Sequence, residues 1–173
     1  MITKGTDLAG AVFDDTGQYR YQLWRRESPA WLQSNGRQQR TILWVMLNPS
    51  TADEQQLDPT LRRCANYSHG WGFTAWEVCN LFAFRATDPK RMLSVVDPVG
   101  EDNDGMILEA AQRADQIVAG WGGHGTHRGR DIGVTALLKS TGKPVYCLKT
   151  VGIFSQPAHP LYLPARQQLQ RYR

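Results

Sequence analysis

Cysteine is scarce in this 173-residue chain: Cys64, Cys79 and Cys147 are odd in number, far apart and set among apolar neighbours. That pattern excludes a disulfide framework and offers no zinc-ligand spacing; it fits buried free thiols in a reducing cytoplasm. Long hydrophobic runs are lacking too. No stretch approaches the roughly 18 apolar residues that cross a bilayer, and no basic segment with an apolar run behind it opens the chain, so neither membrane spanning nor secretion is expected. Charge of one sign is not in great excess: 20 Lys and Arg against 16 Asp and Glu leave +4, a bias that permits a polyanionic partner without requiring one. Internal repeats and low-complexity segments are absent. Gly122, Gly123 and Gly125 form neither a Walker motif nor a dinucleotide fingerprint, so no nucleoside triphosphate, NAD or other cofactor is expected.

What is present is enough apolar material for a core: 41% hydrophobic residues, six of them Trp. One domain over residues 1–173, acting as a monomer, is expected. Residues 10–14 (GAVFD) and 19–25 (YRYQLWR) flank Asp15-Thr16-Gly17 and read as an N-terminal β-hairpin forming an accessory edge. Residues 27–39 contain Pro29, Asn35 and Gly36 and read as a loop. Strands are then expected at 41–47, 75–81, 116–121 and 145–148, alternating with helices at 58–69, 102–113 and 130–139. The runs TILWVML, WEVCNLF and QIVAGW are almost unbroken, as strands buried on both faces require. The expected fold is therefore α/β, a three-layer α/β/α sandwich around a mostly parallel sheet of about four strands.

Two segments place a polar residue before proline just beyond an apolar run: LWVMLNPSTAD at 43–53 and GIFSQPAHPLYLP at 152–164. Proline fixes its own φ and biases the preceding residue toward extended geometry, so Asn48 and His159 are expected where the chain leaves the sheet. In open α/β sheets ligands bind there.

The segments LWVMLNPSTAD, DPTLRRC, NLFAFRATDP, VGEDND, VAGWG and HPLYL resemble the bacterial and phage family called domain of unknown function 1643, over nearly the whole chain. The order of sites is also similar to the uracil-DNA glycosylase superfamily, which implies a four-stranded parallel sheet flanked by helices. By that resemblance, Asn48 of Asn48-Pro49 takes the first-motif role and Asn80 of Val78-Cys79-Asn80-Leu81 reads a base edge. His159 of His159-Pro160-Leu161-Tyr162 takes the late-motif role; here His-Pro is kept and the Ser-Pro that follows it in the superfamily is lost.

The chemistry fits these residue types. Breaking an N-glycosidic bond builds positive charge on the sugar and negative charge on the departing base. His159 can donate to the base, and stabilisation of that kind is often the largest catalytic contribution. Asn48 cannot titrate near neutrality but can orient water through its carbonyl. Asp53 and Asp58 are the nearby carboxylates, and Asp58 equally suits a helix N-cap. Asn80 can pair with the edge of an extruded base, or simply satisfy a turn. Pro49, Ser50, Thr51, Arg85, Trp121 and Tyr162 complete the candidate substrate contacts. Ser50 and Thr51 lack a nucleophile elbow, so they are read as hydrogen-bonding groups. Phe82, Phe84 and Trp121 offer stacking faces, with Trp121 preferred because glycines follow it. Arg62, Arg63, Arg128 and Arg130 are candidate phosphate contacts, against a plain reading as solvated helix faces. His124 and His127 have no third ligand nearby, so no metal is expected.

These readings lead to a DNA glycosylase-like hydrolase acting on a modified, damaged or mismatched base, with DNA or another nucleic acid as partner. Two alternatives stay open: a non-catalytic module that recognises a modified base, and a hydrolase of small nucleosides or sugar conjugates.

Overall fold

The computed structural model describes residues 1–50 and 57–173. Strands β1 (Ile2–Gly5), β2 (Ala9–Phe13) and β3 (Arg20–Arg26) precede a short helix α1 (Pro29–Ser34). Ser28 caps α1 by accepting from the Trp31 amide, so the segment expected as loop holds one and a half turns of helix. Strand β4 (Thr41–Met46), helix α2 (Pro59–Gly70) and strand β5 (Ala75–Asn80) follow, then α3 (Pro89–Ser94), α4 (Asn103–Arg113), β6 (Gln116–Ala119), α5 (Arg130–Lys139) and β7 (Val145–Cys147). A small hairpin of β8 (Thr150–Val151) and β9 (Gln156–Pro157) and a terminal β10 (Gln170–Arg171) end the chain.

Among the described residues, eight strands form one sheet in the order β1-β2-β3-β5-β4-β6-β7-β10. Only the contacts β5/β4, β4/β6 and β6/β7 are parallel, and the other four are antiparallel. The expectation of a mostly parallel sheet of about four strands, and with it the glycosylase-like sheet, is thus overturned. The reason lies at the edges. β5 is buried along its whole length, so its outer side cannot be left as an open edge, and β3 pairs with it antiparallel. The hairpin read as accessory is therefore part of the main sheet, and β10 covers β7 on the other side in the same way.

The apolar runs are buried on both faces. Leu43, Val45, Cys79, Ile117 and Ala119 pack on one side with Ile107, Ala110, Ala111 of α4 and Val134, Leu138 of α5. Ile42, Trp44, Met46, Trp76, Val78 and Val118 pack on the other with Leu61, Cys64, Ala65 and Tyr67 of α2. The alternation follows from the period-2 geometry of strands. Burial raises the thiol pKa of all three cysteines, so they pack as small apolar side chains. No helix among the described residues is long and apolar enough to cross a membrane.

Candidate functional site

A cavity of about 720 Å³ opens on the α2 side of the sheet, at the C-terminal ends of the parallel strands. Its volume is in the range that holds a molecule of nucleoside or nucleotide size. Met46 and Asn80 are paired residues at the ends of β4 and β5, and both line it. The chain leaving β4 adds Leu47, Asn48 and Ser50; the chain leaving β6 adds Trp121, Gly122, Gly123 and His124; the C-terminal segment adds Ala158, His159 and Tyr162. The two Pro-containing segments, more than a hundred residues apart in sequence, therefore line one cavity.

The Asn48 side chain is fixed by its amide nitrogen, which donates to the carbonyl of Ala86 at 2.8 Å and to that of Pro49 at 3.2 Å. Carbonyls only accept, so the nitrogen must face them. Oδ1 is left with no donor among the described residues. Asn80 is 2% exposed, lines the cavity, and its side-chain amide makes no hydrogen bond among the described residues. A buried amide without a partner is costly, and such a group at a cavity wall is suited to a ligand.

His159 is extended backbone at the entry to a 3-10 turn, Pro160–Tyr162, and its Nδ1 accepts the Leu161 amide at 3.4 Å. Accepting at Nδ1 leaves the proton of a neutral ring on Nε2. Burial lowers its pKa below the ordinary histidine value, and the Asp58 carboxylate opposes that shift. The ring is thus a neutral Nε2–H donor near pH 7. Asp58 itself does two things. Oδ1 accepts the Leu61 amide at 2.8 Å and caps α2, while Oδ2 accepts the Ser50 hydroxyl at 2.5 Å. Among the described lining residues it is the one carboxylate.

Trp121 is 1% exposed and donates Nε1 to Gln156 at 2.8 Å, so its indole is core with an edge on the cavity. A Cβ at Gly125 would fall 2.1 Å from the indole Cδ1, so glycine is what lets the following 3-10 segment (Gly123–Gly129) close over the ring. Tyr162 is exposed at the rim, its ring 5.4 Å from that of His159. Phe82 and Phe84 belong to the core on the opposite face.

Several other candidates lie elsewhere. Pro49 is buried behind the wall, its carbonyl accepting from the Ala86 amide. Arg85 donates to Gly17 and stacks on Phe13, against the β2–β3 turn. Arg128 holds the carbonyls of Val95 and Val96; Arg130 donates to Leu81 and pairs with Asp104. Arg62 donates to the Leu57 carbonyl, and neither it nor Arg63 lines the cavity. Thr51 and Asp53 lie outside the described residues. Among the described residues no group of three His, Cys, Asp or Glu is placed to hold a metal ion.

Residues not singled out in the sequence also line the cavity: Arg20, Thr60, Thr87 and Lys149. Lys149 carried the same signal as Asn48, a polar residue just beyond a parallel strand. Arg20 did not. The pairing of Val12 with Gln22 and of Phe13 with Arg20 leaves Tyr21 as an extra residue, and this bulge turns Arg20 onto the cavity face.

A family model described as protein of unknown function (DUF1643) matches residues 20–161. The chain belongs to this family. The matched span runs from Arg20 to Leu161, so in this DUF1643 member it contains Asn48, Asn80 and His159 and stops one residue short of Tyr162. No curated protein and no solved structure matches the chain.

Proposed function

We propose that this protein hydrolyses the N-glycosidic bond between a modified, damaged or mismatched nucleobase and its sugar in DNA. The observation that carries the reading is the convergence on one cavity of three groups with unused hydrogen-bonding capacity: Asn80 amide, Asn48 Oδ1 and His159 Nε2. Asn80 pairs with the edge of an extruded base, offering one donor and one acceptor side. As the bond from the sugar carbon to the base nitrogen breaks, its electron pair leaves with the base, and the neutral Nε2–H of His159 donates a hydrogen bond to that developing charge. Asn48 Oδ1 accepts from a water and orients its oxygen toward the sugar carbon, where the new bond forms. The Asp58 carboxylate counters the positive charge on the sugar. The water proton passes to solvent and the released base takes up a proton.

One observation favours a second reading, hydrolysis of free nucleosides or small sugar conjugates. Arg62, Arg63, Arg85, Arg128 and Arg130, the residues suited to a phosphate backbone, do not line the cavity.

The test is abasic-site formation on single- and double-stranded oligonucleotides carrying uracil, hypoxanthine, xanthine or bulky modified bases, with the free nucleosides in parallel. Product that disappears in both Asn48→Ala and His159→Ala supports the reading. Product only from nucleosides moves it to the second; absence of product everywhere overturns both.

A further inference from the structure

Lys149 lines the cavity just beyond β7, and its ammonium makes no hydrogen bond or ion pair among the described residues. Lys143 is a lysine of the other kind: its ammonium donates to the carbonyls of Ala111, Gln112 and Ala114 at the end of α4 and holds that helix. What is fixed at Lys149 is the backbone. Its carbonyl accepts the Ala158 amide at 2.7 Å, and Cys147, two residues before it, is fully buried in the sheet. The side chain therefore starts from a set point, against the residue that precedes His159. Asp58, the one carboxylate among the described lining residues, is already engaged by the Leu61 amide and the Ser50 hydroxyl. A cation in a cleft with low-dielectric walls draws anions into it.

The order of the sheet sets where along the cavity this charge sits. From β5 through β4 and β6 to β7 is three strand spacings, roughly 14 Å at about 4.8 Å each. Asn80 ends β5, and Asn48 stands just beyond β4. His159 lies beyond β6, its Cβ 3.8 Å from where a Cβ on Gly122 would stand, and Lys149 follows β7. On the base-hydrolysis reading the base edge meets Asn80 and the bond to be cut lies by Asn48 and His159. The group next along the sugar then faces Lys149, whose flexible four-carbon stem covers the remaining distance. In a nucleotide that group is the phosphate. Arg20, on β3, lies one strand from Asn80 on the opposite side, at the base end of this row.

We infer that the cavity takes a nucleotide rather than a nucleoside, with the phosphate attached to the sugar held by the Lys149 ammonium. The inference rests on the base-hydrolysis reading for the identity of the guest; the preference for phosphate is read by binding and needs no turnover. A free nucleoside monophosphate and a phosphodiester of a nucleic-acid strand present the same group to Lys149, as a point charge that an ammonium serves well.

The experiment measures the binding of 2′-deoxyuridine and 2′-deoxyinosine, of their 5′-monophosphates, and of a single-stranded oligonucleotide carrying each base, at low and high salt, with product followed in parallel. Wild-type protein is expected to bind the phosphate-bearing forms on the order of tenfold more tightly than the nucleosides. Lys149→Met, which keeps the stem and removes the charge, is expected to lose that preference while nucleoside affinity changes less than about threefold; Lys149→Arg is expected to restore most of it. A Lys149-dependent preference for the monophosphates supports the inference with a free nucleotide as the source. One confined to the strand, with the salt slope reduced by about 1 in Lys149→Met, supports it with a phosphodiester as the source. Lys149-dependent preference without product on any form sustains the phosphate site and sinks the hydrolase reading. Product from nucleosides and nucleotides alike overturns the phosphate site and leaves the hydrolase reading standing. A preference undiminished in Lys149→Met, or no preference for any phosphate-bearing form, also overturns it.

Discussion

Glu77 and Asn80 sit three residues apart on β5, point to opposite faces of the sheet, and are both about as buried as a side chain can be. Glu77 is surrounded: Gln22 donates at 2.8 Å, Arg26 at 2.9 Å and Arg113 at 3.0 Å. The Asn80 side-chain amide makes no hydrogen bond among the described residues and lines the cavity. A buried polar group with all its bonds made holds strands and helices in place; one with none made is, under the proposed function, the group that meets the ligand. Under the proposed function the two kinds of polarity separate stability from function on a single strand.

The comparison breaks first at Glu77. Glu77→Ala leaves Arg26 and Arg113 without their shared carboxylate and should cost about 3 kcal/mol, read from denaturant midpoints. Both arginines are partly exposed, which keeps the cost at the low end of the range for buried pairs. An Asn80→Ala protein should differ from wild type by less than about 1 kcal/mol in the same measurement. A stability loss at Asn80 as large as that at Glu77 would mean the amide is structural after all.

His159→Ala is expected to lower turnover by about 100-fold or more, as removal of a transition-state donor does. It should lower the melting temperature only modestly, because the long Leu161 amide bond to Nδ1 is lost but Nε2 has no described partner to lose. Gly125→Ala forces a methyl onto the Trp121 ring and should cost about 1 to 3 kcal/mol, with calorimetry as the check. Asp58 can be divided. Asn is as good an N-cap as Asp, so Asp58→Asn should stay within about 0.5 kcal/mol of wild type, whereas Asp58→Ala loses about 1 kcal/mol. Lowered turnover in Asp58→Asn at unchanged stability would assign the carboxylate to the reaction.

The smallest effect expected is the pH dependence of stability. His159 has a folded pKa below its unfolded value, so the unfolded chain binds the proton first as pH falls. Its contribution is intact above the unfolded value of about 6.5 and is lost as pH falls from there through the folded value. Wild type should lose more stability between pH 7 and pH 5 than His159→Asn does. An equal loss in the two proteins would remove His159 as the source.

Much of the secondary structure was legible because its signals are local. The unbroken apolar runs of β4, β5 and β6, and Asp58-Pro59 at the start of α2, depend only on neighbours in the chain. The short helices α1 and α3 were missed because each is a single capped turn or so, too brief for a periodic pattern to accumulate. In the site, Asn48 and His159 were visible from one rule, a polar residue before proline beyond an apolar run, whereas Asn80, inside the run WEVCNLF, was singled out by the resemblance to the uracil-DNA glycosylase superfamily. Arg128 and Arg130 looked like anion contacts because sequence reports the charge and not the carbonyls of Val95, Val96 and Leu81 that engage it.

The sequence by itself determined which runs would be buried and where the chain would turn away from them, since burial follows hydrophobicity and proline restricts its own neighbourhood. Only the tertiary structure decided that the hairpin joins the main sheet, that a bulge swings Arg20 to the cavity face, and that Asn48 and His159, more than a hundred residues apart in the chain, line one cavity. Strand order and bulges are set by which edges must be covered, and an edge exists only once the strands are assembled.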